Sequence, residues 1–326
     1  METPNHSRLI GPDEAREILG KNFIGPEIVE DAYDVKIDPT RLRALPFRMT
    51  LQEAINAAEL GNTVHLALDQ LGNGQPMTIQ ELNKWVWTKP EKFQELHTWM
   101  RHMHRNKFRA EMDRETGRTG AMNISFQQRF ANIPDRFEWR QTSPVPIAQI
   151  DEERFLAHTD RLIDYIRDRI YKNLGLPKEY KEMIEEYDEK KSKIQDTINE
   201  SDDQSRKAYS RTKDIELRQE QRDAHENEGG RLMREANDMA VKLGITRHLR
   251  PSAMNLAQYI ATLNSIGMRP FGTETGIWTS TQDDDHNILG CTYAMGMRGL
   301  REFDVTRGDN NRTVFSRSLS YPPKAE

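Results

Sequence analysis

The chain has 326 residues, enough for two or three domains, with a 36% hydrophobic share and a mean hydropathy of -0.85, on the polar side of globular. Its 47 Lys and Arg stand against 52 Asp and Glu, so no global attraction to nucleic acid or anionic lipid is expected. A single cysteine, Cys291, excludes an internal disulfide framework and a Cys-based zinc site. Residues 1–10 carry no apolar run after a basic start and no later segment reaches membrane-span length, so the expected location is the cytoplasm, with no membrane partner.

Helix-start chemistry punctuates the N-terminal third. In Gly11-Pro12-Asp13-Glu14 and Gly25-Pro26-Glu27 a proline takes the first helical position, where its missing N–H costs nothing, and acids follow at the positive end of the dipole. Gly20 ends the first of these helices. Thr50-Leu51-Gln52-Glu53 and Thr78-Ile79-Gln80-Glu81 read as capping boxes, in which hydroxyl and carboxylate satisfy unpaired N–H groups reciprocally. Between them Thr63-Val64-His65-Leu66-Ala67-Leu68 reads as a strand, closed by Gly72-Asn73-Gly74-Gln75-Pro76. From Pro90 a long helix is expected to about Met112, with Phe93, Leu96, Met100 and Met103 on one stripe and Gly117 and Gly120 beyond it. Phe137-Glu138-Trp139-Arg140 is a short extended piece, and Ser143-Pro144-Val145-Pro146 closes a first domain, 1–146.

Residues 151–174 predict an amphipathic helix, with Phe155, Leu162, Ile163, Ile166, Ile170 and Leu174 on one face and Gly175 as its stop. Residues 178–228 are different: about half are charged and hardly any is a large aliphatic. Glu, Lys, Arg and Gln are good helix formers, and alternating signs support pairs three and four apart, so the segment predicts a projecting helical hairpin. Its seam is Tyr180, Ile184, Tyr187, Ile194 and Ile198. The turn is expected near Asn199 to Asp202, where Ser201-Asp202-Asp203-Gln204 offers a capping box, and Gly229-Gly230 is expected to break the return before Leu232, Ala236 and Met239. A solvated linker would share this composition.

Arg250-Pro251-Ser252 opens a helix with Leu256, Ile260, Leu263 and Ile266 in register, ended by Gly267 and Pro270. Residues 276–281, 288–297, 300–306 and 312–319 then read as four strands of an antiparallel meander. The expected fold is α+β and mainly helical: a helical domain with one or two short strands, the charged helical hairpin within 147–249, and a helix on the meander in 250–326.

Three candidate sites emerge. His97, His102 and His104 look like metal ligands, but residues two apart point to opposite sides of a helix, and His97 lies roughly 10 Å along the axis from His104. Trp99, Arg101, Arg105, Lys107 and Arg109 interleave basic and aromatic groups as a nucleic-acid surface would, although a solvated helix face with Glu111, Asp113 and Glu115 following would look the same. In an up-and-down sheet the first and third connections share one end, which brings Asp283, Asp285, Asp309 and Asn310 together as oxygen ligands for a divalent cation. The competing reading is that turns favour Asp, Asn and Gly. Beyond that cation no cofactor is predicted. No phosphate loop, nucleophile elbow or two-histidine protease helix is present.

Three stretches carry a resemblance: the run from Asp13-Glu14-Ala15-Arg16 to Lys21-Asn22-Phe23-Ile24-Gly25, then Leu45-Pro46-Phe47-Arg48, then Phe315-Ser316-Arg317-Ser318. Together they resemble a group of uncharacterised hypothetical proteins from uncultured, small-genome bacteria, across both termini and little of the middle. The resemblance implies a bacterial, cytoplasmic origin and no activity. The expected function is a non-catalytic interaction or scaffold protein that self-associates or docks a protein partner through the arm. A nucleic-acid-associated protein is the alternative, and a hydrolase of unknown substrate the third.

Overall fold

Three prolines begin three helices: α1 (Pro12–Leu19), α2 (Pro26–Tyr33) and α3 (Pro39–Ala44) each carry proline in the first turn. The third was hidden in the sequence behind a plain Asp38-Pro39, whose aspartate caps the Thr40 amide at 2.8 Å. The computed structural model describes residues 7–89, 91–93, 132–144, 147, 155–209, 219–268, 275–282, 286, 288–295, 301–307 and 311–320. In α4 (Leu51–Glu59) the Thr50–Glu53 capping box is reciprocal. In α5 (Ile79–Thr88) Thr78 accepts from the Glu81 amide at 3.2 Å, while the Glu81 carboxylate turns to Lys84.

The fold is α+β and mainly helical, with two small sheets. The first has the order β1-β2-β3-β8. Here β1 (Phe23–Ile24) runs parallel to β2 (Thr63–Ala67), and β3 (Glu138–Thr142) and β8 (Ser316–Ser318) continue antiparallel. The segment after α3 docks on this sheet: Phe47 packs edge-on against Trp139 of β3, and the Arg48 amide donates to Leu319 O, one residue past β8, at 2.7 Å.

The second sheet corrects the expected four-stranded meander. Strands β4 (Thr275–Gln282), β5 (Ile288–Met295) and β6 (Arg301–Arg307) are antiparallel, but β7 (Asn311–Arg312) lies parallel on the far edge of β4, which makes the sheet mixed. The anticipated fourth strand, 312–319, is divided between the sheets. Its middle is hydrogen-bonded elsewhere: Ser143 N donates to Phe315 O at 2.9 Å and Ile147 N to Thr313 O at 3.0 Å. Val314 joins one hydrophobic cluster and Phe315 the other, so a single alternating run serves two cores.

Between the sheets lies α10 (Ala253–Ser265), buried along almost all its length and capped by Ser252 and Asn255. Tyr259 donates to Thr63 at 3.0 Å on β2, and the Gln258 amide brackets Leu68, donating to its carbonyl at 2.8 Å and accepting from its amide at 3.0 Å. Such two-sided satisfaction is what permits a buried glutamine.

The second core gathers around α6 (Phe155–Tyr165), α7 (Lys178–Tyr209), α8 (Gln219–Lys242) and α9 (Gly244–Leu249). The amphipathic helix expected to Leu174 ends differently: Ile166–Ile170 is a π turn, closed by Tyr171 N donating to Ile166 O at 2.9 Å. Its apolar face survives, since Ile166 and Ile170 are fully buried, and Asn56 donates to the freed Ile170 carbonyl at 2.9 Å.

The long helices also correct the sequence. No turn occurs near Asn199 to Asp202, because α7 continues to Tyr209, and Gly229-Gly230 does not interrupt α8. Ser201 is no N-cap; its hydroxyl donates to Gly229 O at 2.7 Å across the pair, and His225 bonds Gln204 at 2.7 Å. As numbers rise on one helix they fall on the other, so the helices run antiparallel. Gly229 has a positive reason to be glycine: a Cβ there would come within 3.1 Å of the Ser205 hydroxyl and 3.3 Å of Ser201 O. Close approach replaces the helix-breaking role that propensity alone assigns to it.

Candidate functional site

Strand β3 is buried at all five positions although it carries Glu138, Arg140 and Gln141. Arg140 pairs with Glu138 and donates to the Ser316 hydroxyl at 3.2 Å, while Arg317 on β8 donates to Gln141 at 2.9 Å. Arg317 also donates to Glu53 at 2.9 Å, the Tyr171 hydroxyl at 2.5 Å and the Tyr180 hydroxyl at 3.3 Å. Burial would push the Glu53 carboxyl up, but Arg317 and the bonds from Thr50 hold it below the usual range. This enclosed network joins α4, the π turn, the root of α7 and β8, and its role is structural.

The face of β3 that carries Glu138 and Arg140 borders a cleft of about 1030 Å³. Leu45 and Pro46 after α3, residues 133–137 leading into β3, Arg247 and His248 of α9, and Arg250, Ser252 and Asn255 at the entry to α10 form its walls. Among the described residues five arginines, Arg41, Arg136, Arg140, Arg247 and Arg250, and three carboxylates, Asp69, Asp135 and Glu138, line it. Two of those carboxylates are committed, Asp69 to Arg41 at 2.5 Å and Glu138 to Arg140.

Arg250 is only 1% exposed. It donates to the hydroxyls of Thr313 and Thr159, both at 2.8 Å, and its guanidinium lies 4.3 Å from the Phe155 ring centre. Its Nε has no hydrogen-bond partner, and among the described residues no carboxylate pairs with it. Burial pulls its pKa down to about 9, which leaves it a cation at neutral pH.

Asp135 is 7% exposed. Its Oδ1 accepts from the Arg136 amide at 2.8 Å and from Asn255 Nδ2, whereas Oδ2 has no partner. Burial pushes this carboxyl up to about 7, against the pull of Arg140 and with the help of Glu138. The cleft thus combines an uncompensated buried cation with an acid near half protonation, an arrangement suited to receiving an anion.

The residues singled out in the sequence lie elsewhere. Trp99, Arg101, Arg105, Lys107 and Arg109 fall outside the described residues, as do His97, His102 and His104. Asp283, Asp285, Asp309 and Asn310 are outside them too, although the pairings Gln282 with Ile288 and Leu289 with Arg307 bring the flanking strand ends to one end of the sheet. His286 there bonds Asp238 of α8 at 2.8 Å. Among the described residues no group of three or more His, Cys, Asp or Glu is placed to hold a metal ion, and no helix is long and apolar enough to cross a membrane.

Sequence reasoning missed Asp135, Arg140, Asn255 and Arg250. The available signal was charge inside an otherwise apolar extended run at Phe137-Glu138-Trp139-Arg140, and an arginine directly before a capping box at Arg250-Pro251-Ser252. Compared with known family models, curated proteins and solved structures, the chain matches none.

Proposed function

We propose that this is a non-catalytic interaction protein that self-associates or docks a protein partner through a helical hairpin arm formed by α7 and α8. One observation carries the reading: among the described residues the pair is anchored at its root and thins outward to a seam of small side chains. At the root Tyr180, Met183, Tyr187 and Ile194 belong to the second core, and Lys191 pairs with Asp160 of α6 at 2.7 Å. Further out the seam shrinks to Ser201, Ser205, Ala208 and Gly229, and the outward positions are exposed charges such as Asp203 and Lys207, paired at 2.6 Å. Exposed pairs of this kind contribute little stability, about 0–1 kcal/mol each, so folding alone gives little reason for a 32-residue helix.

The test removes the tip and spares the root. Ser201 and Gly229 are in contact, so residues 202–228 can be replaced by a short Gly-Ser linker without disturbing Tyr180 to Ile194. The expected outcome is an unchanged melting temperature with altered mass in light scattering or altered partner recovery. Unchanged assembly in both assays refutes the proposal.

A further inference from the structure

The arginine cleft lies apart from the arm, and its chemistry is more specific. We propose that it binds a small organic phosphate, with the oxyanion held by Arg250 and Arg140 and the organic body resting on the apolar lip.

Charge is the first argument. Among the described residues of the lining arginines outnumber carboxylates, and the buried Arg250 has no carboxylate partner among them, so an anionic phosphate group is its complement. Arg250 is the centre of that excess: a buried guanidinium bonded only to neutral hydroxyls carries a desolvation cost that a counter-ion in the adjoining cleft would offset. Guanidinium groups suit this task because their planar fork matches phosphate oxygens.

The second argument is which groups are still available. At the entry to α10 the amides are in use, since Ala253 N donates to Thr281 at 2.9 Å and Asn255 N to Ser252 at 3.0 Å. Side chains, not a helix terminus, therefore receive the ligand. Asp135 Oδ2 is buried without a hydrogen-bond partner, and when protonated this carboxyl adds no negative charge beside the oxyanion. Shape is the third. About 1030 Å³ far exceeds an inorganic ion and sits at the upper end of small-molecule sites. Its lip is apolar where Leu45 and Pro46 face Ile133, itself 51% exposed.

The experiment titrates the full chain with inorganic phosphate, inorganic sulfate, phenyl phosphate and a short oligothymidylate, by calorimetry and thermal shift. Phenyl phosphate is expected to bind most tightly, at least about tenfold above inorganic phosphate. Arg250→Met is expected to fold and to lose binding by about tenfold or more. Because Arg250→Met touches a buried group, Arg136→Glu is measured beside it; this exposed variant keeps the melting temperature and also weakens phenyl phosphate about tenfold. Sulfate keeps its charge around neutrality, so its affinity reports Asp135, Arg140 and Glu138, the charged groups that meet at this wall, and it falls as pH rises through about 7. No binding of any probe, binding of oligothymidylate alone, or binding unaffected by both variants overturns the proposal.

Discussion

Replacing Asp135 by asparagine gives the most direct reading of the cleft. The substitution keeps shape and the Oδ1 acceptor for Arg136 N and Asn255, removes the titration, and puts a neutral amide nitrogen where Oδ2 has no partner. The carboxyl has an ordinary value of 3.8 and is pushed up to about 7 by burial. Below about pH 4 it is protonated in both folded and unfolded chains and costs nothing. Between 4 and 7 the unfolded chain ionises while the folded one holds its proton, so folding stability is lost as pH rises, and above about 7 the loss is constant. At 1.36 kcal/mol per pH unit the full penalty is about 4 kcal/mol. Asp135→Asn should therefore equal the parent near pH 4 and exceed its stability by a few kcal/mol at about pH 8, in urea unfolding followed by tryptophan fluorescence. Added phosphate cannot mimic this result, since the titration is run without it. A variant less stable than the parent at about pH 8 would mean that Arg140 keeps Asp135 ionised, and the reasoning would fail.

Other outcomes follow from single residues. Arg317→Met should cost about 3–5 kcal/mol in chemical denaturation, because it strands the buried Glu53, while the double variant with Glu53→Leu should recover much of that loss. The parent's Glu53 carboxyl is held low, so the stability it contributes is present above its unfolded pKa and is lost as pH falls through the folded value; the double variant should lack this acid-side loss. Gly230→Ala should stabilise α8 by about 0.5–1 kcal/mol, since its Cβ meets nothing nearer than Arg234 at 3.5 Å. Gly229→Ala should gain less or lose, because Ser205 and Ser201 must give way, and the difference in melting temperature between the two alanine variants measures how tightly the helices pack.

Local chemistry was legible in the sequence wherever it acted over a few residues. Pro12, Pro26, the Thr50–Glu53 box, Gly20 and the Ser252 cap each do in the structure what their positions imply, because caps and fixed φ values depend on near neighbours alone. Long-range choices were not legible. Residues 312–319 alternate well enough for one strand, and only the distant Ser143 and Ile147 decide that they serve two sheets. Gly229 looks like a breaker until Ser201 is seen against it. The cleft eluded the sequence for the same reason: Arg140 and Arg250 are ordinary arginines in one dimension, and their chemistry comes from burial and from partners more than sixty residues away.

The pairing of β3 with β8 also sets an order of events during synthesis. Arg140 and Ser316 are bonded across a separation of 176 residues. At ~5–20 residues per second a ribosome needs roughly ten to thirty-five seconds to bridge that gap, against microseconds for a local hairpin. Through that interval β3 presents an open edge, with Arg140 to Thr142 unpaired on the side that β8 will take. The first sheet is therefore closed only after residues 316–318 have been made, so a nascent chain stalled before them carries an unpaired strand edge open to non-native pairing.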